Sequence, residues 1–173
     1  MREFYNKILQ HFGEEIDKYP SAAKREHGLR YFLEKAKPKI ALEIGTCLGI
    51  SAALIAQYAD KVYTIDIREK KLRQSIWEHL GIQDKIVQIV VKDNAEKIKI
   101  CEGLNFDFAY IDGDHSWDGI KTDWDCVKDK CSKILFDDYA WPNKTSAVTR
   151  FIDGIEGYKK EIMENFLFAY LEK

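Results

Sequence analysis

The sequence predicts an α/β fold: a mostly parallel sheet with helices on both faces, preceded by two helices and closed by an antiparallel hairpin. Three observations predict it. After residue 38 short β-rich runs alternate five times with helical stretches. Parallel neighbours need a crossover that returns the chain to the same end of the sheet, which places helices on both faces. The tail then carries two strand-like runs split by the polar pair Glu164-Asn165, the pattern of a hairpin.

In chain order, Phe4, Ile8, Leu9, Phe12 and Ile16 recur at helical spacing and predict the first helix. A second follows Pro20-Ser21, with Leu29, Phe32, Leu33 and Ala36 on one face, and Pro38 ends it. Strands are expected over 40–44, 61–67, 86–91, 106–111 and 133–136, and helices near 51–58, 69–80, 95–100, 117–127 and 145–155. The hairpin occupies 158–163 and 166–171. No internal repeat or interdomain linker is present. A single domain of 173 residues is expected, with 1–38 as the N-terminal helices and 39–173 as the core.

Composition narrows the function classes. With 27 Lys+Arg against 29 Asp+Glu, a net charge of −2 offers no excess of positive charge for a phosphate backbone, which disfavours general nucleic-acid binding. The longest apolar runs, 52–56 and 166–171, fall far short of the roughly 18 residues of a membrane span. The N-terminus has no apolar h-region, so no secretory signal is expected. Cys47, Cys101, Cys126 and Cys131 are irregularly spaced and read as reduced thiols. Together these predict a cytoplasmic protein. An edge hairpin and an amphipathic first helix offer contact surfaces for a homodimer.

Ligands of open parallel sheets bind outside the carboxyl ends of the strands, so the residues just after each strand carry the functional information. The first strand runs into Glu43-Ile44-Gly45-Thr46-Cys47-Leu48-Gly49-Ile50-Ser51, with glycines four apart at the turn. Glycine permits a tight turn and removes the Cβ that would hold a ligand away from the backbone. The second strand reaches Asp66, whose carboxylate could accept both hydroxyls of a ribose. A nucleoside across the sheet top is the reading that joins them. Both G-x-G-x-x-G and G-x-x-x-x-G-K-[ST] are missing, which disfavours dinucleotides and nucleotide triphosphates. Glu43 suits an ammonium or sulfonium better than a phosphate. The plainer alternative makes Gly45 and Gly49 turn residues and Asp66 a helix cap.

These residues resemble the class I S-adenosylmethionine (SAM)-dependent methyltransferases. The match consists of Glu43-Ile44-Gly45-Thr46-x-x-Gly49-x-Ser51, Val62-Tyr63-Thr64-Ile65-Asp66 and Val91-Lys92-Asp93-Asn94-Ala95. The resemblance implies a Rossmann-like, doubly wound seven-stranded sheet in the order 3-2-1-4-5-7-6. It also implies that Gly45, Thr46, Gly49 and Ser51 line the methionine part. Asp66 would then bind the ribose hydroxyls and Asp93 sit by the adenine, with Glu43, Ile67, Asn94 and Asp112 also binding the cofactor.

The fourth strand ends in Ile111-Asp112-Gly113-Asp114-His115 and the fifth in Phe136-Asp137-Asp138-Tyr139. On adjacent strands, about 4.8 Å apart, Asp112, Asp137 and Asp138 converge. Like charges at about 4 Å repel by roughly 4 kcal/mol at an effective dielectric near 20. The three carboxylates must therefore be protonated, splayed into solvent, or bridged by a cation such as Mg²⁺, with Ca²⁺ or Mn²⁺ next. Alternatively, Asp112 and Asp114 shape a glycine turn and Asp137 and Asp138 face solvent.

The cluster resembles that of metal-dependent O-methyltransferases, of the catechol type and of the group related to macrolide-sugar methyltransferases and cephalosporin-hydroxylase-like proteins. The resemblance implies metal ligation by Asp112, Asp137 and Asp138, the last standing where the catechol type has Asn. His115 stands where that type usually has a basic Lys, and a histidine near neutrality suits a general base. The catalytic pair would be His115 and Asp112, acting on a small hydroxylated acceptor. Trp117, Tyr139 and Trp141 follow the same strand ends and are candidate acceptor walls. His27, in Arg25-Glu26-His27-Gly28, lies on the helix expected to close over the cofactor, while Lys92, Lys97 and Lys99 read as a solvated helix face. Two other readings stand beside this one: a SAM-binding module without turnover, and a methyltransferase of a macromolecular acceptor.

Overall fold

The computed structural model describes residues 3–17 and 21–173. Its elements are α1 (Glu3–Phe12), α2 (Glu14–Asp17), α3 (Ser21–Ala36), β1 (Ile40–Ile44), α4 (Ile50–Ile55), β2 (Lys61–Asp66), α5 (Lys71–His79), β3 (Ile86–Val90), α6 (Asn94–Gly103), β4 (Phe108–Ile111), α7 (Trp117–Val127), β5 (Lys133–Phe136), α8 (Ala147–Asp153), β6 (Lys159–Met163) and β7 (Phe168–Glu172). Seven strands form one sheet in the order β3-β2-β1-β4-β5-β7-β6, as the resemblance implies. The pairs from β3 through β5 are parallel, while β7 runs antiparallel to both β5 and β6.

The first expected helix is two. Gly13 adopts φ +51°, which stops α1 and offsets α2, although Ile8 and Ile16 both remain fully buried. Pro20, the expected start signal of α3, and Met1 and Arg2 lie outside the described residues. The local chemistry of the later helices follows short-range capping. Asp93 accepts Glu96 N–H at 2.8 Å and Glu96 returns to Lys92 N–H at 2.8 Å, a reciprocal pair that starts α6. Ser116 starts α7 and Ser146 starts α8, each accepting the N–H three residues on.

The core lies on both faces of the sheet. One layer joins α1, α3, α4 and α5 to the sheet through Ile8, Phe32, Leu33, Ile55 and Trp77. The other joins α6, α7 and α8 through Cys101, Ile120, Val127, Val148 and Ile152. Phe32 of α3 stacks on Tyr170 of β7 with centroids 5.3 Å apart. This contact fixes α3 above the carboxyl half of the sheet, next to the ends of β4 and β5. Among the described residues no helix is long and apolar enough to cross a membrane.

One expectation about α6 fails. Lys97 is buried and forms an ion pair with Asp123 of α7, itself fully buried, so it is not part of a solvated face. An ammonium at that depth needs a carboxylate partner, and α7 supplies it from 26 residues away.

Candidate active site

The loop from β1 to α4 is built by close backbone approach. Gly45 adopts φ +101°, and a Cβ on it would lie 1.9 Å from the Asp112 carbonyl oxygen. Its missing side chain therefore serves the packing of the β1 loop against the end of β4. Gly49 lies beneath Trp77, whose indole N–H donates to the Gly49 carbonyl at 2.8 Å. Asp66, at the end of β2, accepts Cys47 N–H at 2.9 Å and Arg68 N–H at 3.1 Å, and pairs with the buried Arg73. Arg73 also donates to the Cys47 carbonyl at 2.7 Å, so one guanidinium ties the loop to β2.

Two cavities meet at this loop. The larger, about 500 Å³, is lined by Gly45, Asp66, Ile67, Asn94, Asp112 and Asp114 among others. Ile67 is 61% exposed on its rim. The smaller, about 100 Å³, lies under α1 and α3 and is lined by Phe4, Tyr5, Arg25, Thr46, Ser51, Tyr110, Asp112 and Asp137. Asp112 and Cys47 line both. The residues expected at a nucleoside cofactor thus divide: Gly45, Asp66, Ile67 and Asn94 face the larger cavity, Thr46 and Ser51 the smaller, and Asp112 both. Glu43, Gly49 and Asp93 line neither, Asp93 being the cap of α6.

Glu43 acts from beneath. It is fully buried, accepts the Thr64 hydroxyl, and Thr64 Oγ1 lies 2.6 Å from Thr46 Oγ1, which lines the smaller cavity. Burial pushes its pKa up to about 8. A folded-state value above the unfolded one means the folded protein binds the extra proton, so stability falls as pH rises from the ordinary carboxylate range to about 8. Glu43→Gln removes the titration. Thermal unfolding at pH 5 and pH 8 should show the wild type losing roughly 2–4 kcal/mol more than the variant across that interval. Equal losses would refute the assignment.

The acidic cluster converges as expected, with a partner the sequence reading missed. Arg25 of α3 places Nη1 2.7 Å from Asp137 Oδ2 and 4.0 Å from Asp112 Oδ2, and its Nη2 bonds Asp138 Oδ1. Asp137 also accepts Tyr110 Oη–H at 2.6 Å and Asp138 N–H at 2.7 Å, the donor set of an ionised carboxylate. Burial and Asp112 push the Asp137 pKa up against Arg25, and burial likewise raises Asp138. His115 Nε2 sits 3.2 Å from Asp138 Oδ2 and 3.5 Å from Asp112 Oδ1. These acceptors, Asp112 first, raise its pKa above the usual histidine value. One ligand atom from each of Asp112, His115 and Asp138 fits within 4.8 Å of the others. The structure thus groups Asp112 and Asp138 with His115, while the oxygens of Asp137 are engaged by Tyr110, Arg25 and backbone.

The signal for Arg25 was present in the excess of carboxylates, which demands a cation from somewhere. Its neighbour His27 is exposed and packs on Phe166. Trp117 and Trp141 are about half exposed, Trp117 packing edge-on against Phe151 and Trp141 N–H donating to the Asp138 carbonyl at 3.1 Å, and Tyr139 Oη donates to Asp153 at 2.9 Å.

Comparison with known proteins shows what the chain is similar to in sequence and in fold. A protein of Mycobacterium tuberculosis named as a probable O-methyltransferase is 31% identical over 93 residues, which cover 47% of this chain but only 40% of that protein. The O-methyltransferase from Bacillus cereus in complex with SAH superposes with a TM-score of 0.75 at 16% identity, over 100% of this chain and 92% of that one. TomG from Streptomyces achromogenes, an O-methyltransferase in complex with SAM, gives 0.73 at 17% identity over 99% and 90%. At these identities the two superpositions speak for the fold. The family model described as a methyltransferase domain matches residues 42–139, from within β1 to just past Asp138 and so over more than half of the sequence, and the chain belongs to that family.

Proposed function

We propose that this chain is a SAM-dependent O-methyltransferase acting on a small hydroxylated acceptor with the help of a divalent cation. The observation that carries the reading is the meeting of both cavities at Asp112, within 4 Å of Arg25 and His115. Residues at the larger cavity suit the nucleoside of SAM, with Asp66 able to accept from ribose hydroxyls, and Thr46 and Ser51 suit its polar tail. Glu43, one layer below, supports Thr46 through the Thr64 hydroxyl. The donor set suits a hard divalent ion: Asp112 and Asp138 bring carboxylate oxygens within 4.8 Å of one another, and a cation between them relieves their repulsion.

Bound SAM supplies an electrophilic methyl group, and a bound divalent cation supplies Lewis acidity at the acceptor oxygen. The chain's own residues do the rest. His115, 40% exposed at the rim, takes the acceptor's hydroxyl proton on its imidazole, and Asp112 and Asp138 orient that ring and stabilise the imidazolium. Trp117 and Trp141 offer flat apolar walls to hold the acceptor and exclude water. All four cysteines are free and three are buried, which supports a reducing, cytoplasmic setting.

Calorimetric titration with SAM, followed by methyl transfer to a panel of hydroxylated small molecules with Mg²⁺ and after chelation, tests the reading. Binding with cation-dependent transfer is expected. SAM binding without transfer to any acceptor would favour a cofactor-binding module, and transfer that survives chelation would remove the cation.

A further inference from the structure

We propose that Arg25 is the positioning residue of the cation site: from α3 it anchors on Asp137 and turns Asp138 toward Asp112 and His115, and so sets the affinity for the ion. The inference rests on the cation reading above and deepens it.

The two oxygens of Asp138 have different neighbours. Oδ1 is held by Arg25 Nη2, and Oδ2 faces His115 Nε2 at 3.2 Å. A carboxylate otherwise rotates about a broad two-fold torsion, so fixing one oxygen aims the other. Asp137 gives the guanidinium its anchor. Its oxygens accept from Tyr110, Arg25 and Asp138 N–H, which leaves it the role of holding Arg25 and not of meeting an ion. The planar fork of arginine suits two carboxylates at once; a lysine ammonium, a point charge, does not fix their planes. Partners that orient metal-binding side chains in this way change ion affinity by about 10–100-fold when removed.

The same helix turn reaches further. Glu26, next to Arg25, accepts Phe4 N–H at 3.1 Å and Tyr5 N–H at 3.0 Å and so holds the first turn of α1. Ion affinity is thereby linked to the docking of α1 on α3. The opposing idea, that Arg25 occupies the place of the ion and competes with it, makes the opposite prediction, because removing a competitor tightens binding.

Mn²⁺ is the probe, titrated into wild type, Arg25→Gln and Arg25→Lys without acceptor. Calorimetry gives affinity and electron paramagnetic resonance gives the symmetry of the bound ion. Melting temperature and SAM affinity are measured on each protein. The wild type should bind one Mn²⁺, Arg25→Gln should bind it about 10–100-fold more weakly, and Arg25→Lys should fall between with an altered line shape at unchanged melting temperature. Equal or tighter binding by Arg25→Gln overturns the proposal while leaving the cation reading intact. Failure of the wild type to bind Mn²⁺ overturns both. Should Arg25→Gln not fold, Arg25→Lys decides, and wild-type affinity with a wild-type spectrum refutes the positioning role.

Discussion

Replacing His115 with alanine is expected to lower turnover by about 10²–10⁴-fold while SAM affinity stays close to that of the wild type. The side chain is 40% exposed and lines neither cavity, so its removal leaves no hole in the core, and its contact with the cofactor residues is the one to Asp112 at 3.5 Å. What is lost is the proton acceptor beside Asp112 and Asp138. In the wild type the rate should climb with pH, because Asp112 and Asp138 hold the imidazole protonated above its ordinary range and a base works only once that proton has left. The climb should be absent from the variant. Single-turnover methyl transfer across pH 6 to 9 with calorimetry alongside checks it. Equal loss of SAM affinity and turnover would show that His115 serves the fold of the rim and not the chemistry.

Gly45→Ala is expected to destabilise the protein by about 4 kcal/mol or more and to abolish SAM binding. Two causes add. At φ +101° an alanine is strained, and its Cβ would meet the Asp112 carbonyl at 1.9 Å, a backbone atom that cannot step aside as a flexible side chain would. The β1 loop and the end of β4 must separate, which pulls Asp112 from the junction of the two cavities. Gly81→Ala is the control, since Gly81 has φ +65° and nothing within 4 Å, so about 1–2 kcal/mol is expected. Thermal unfolding of the three proteins decides: similar losses for both variants would mean that backbone strain alone matters and the contact with Asp112 does not.

Much of the fold was legible because the relevant forces act over short stretches. Helix α7 occupies Trp117–Val127, the range its periodicity predicts, and β1 and β5 likewise keep their expected limits. Other ends moved by one to three residues, as where β4 starts at Phe108 and not at Phe106. Gly13 carried a readable warning that the first helix would break, yet the apolar spacing continued through it. Side-chain partners were far less legible. Arg25 meets Asp137 across 112 positions, and Lys97 meets Asp123 on another helix, so nothing near either residue marks its partner. The glycines at the first turn were read as permitting a tight turn, but the atom that demands Gly45 is the Asp112 carbonyl just past β4, visible only once the strands are paired.

The placement of β7 between β5 and β6 has a consequence for biosynthesis. On the ribosome β6 emerges first, but it cannot join the sheet beside β5, because the strand that belongs there has not yet been made. Until Phe168–Glu172 leaves the exit tunnel, the strand that ends at Asp137 and Asp138 keeps one edge unpaired, and α3 lacks Tyr170 to stack upon. A nascent chain stalled short of β7 therefore carries every residue of the acidic cluster and no finished frame to hold it.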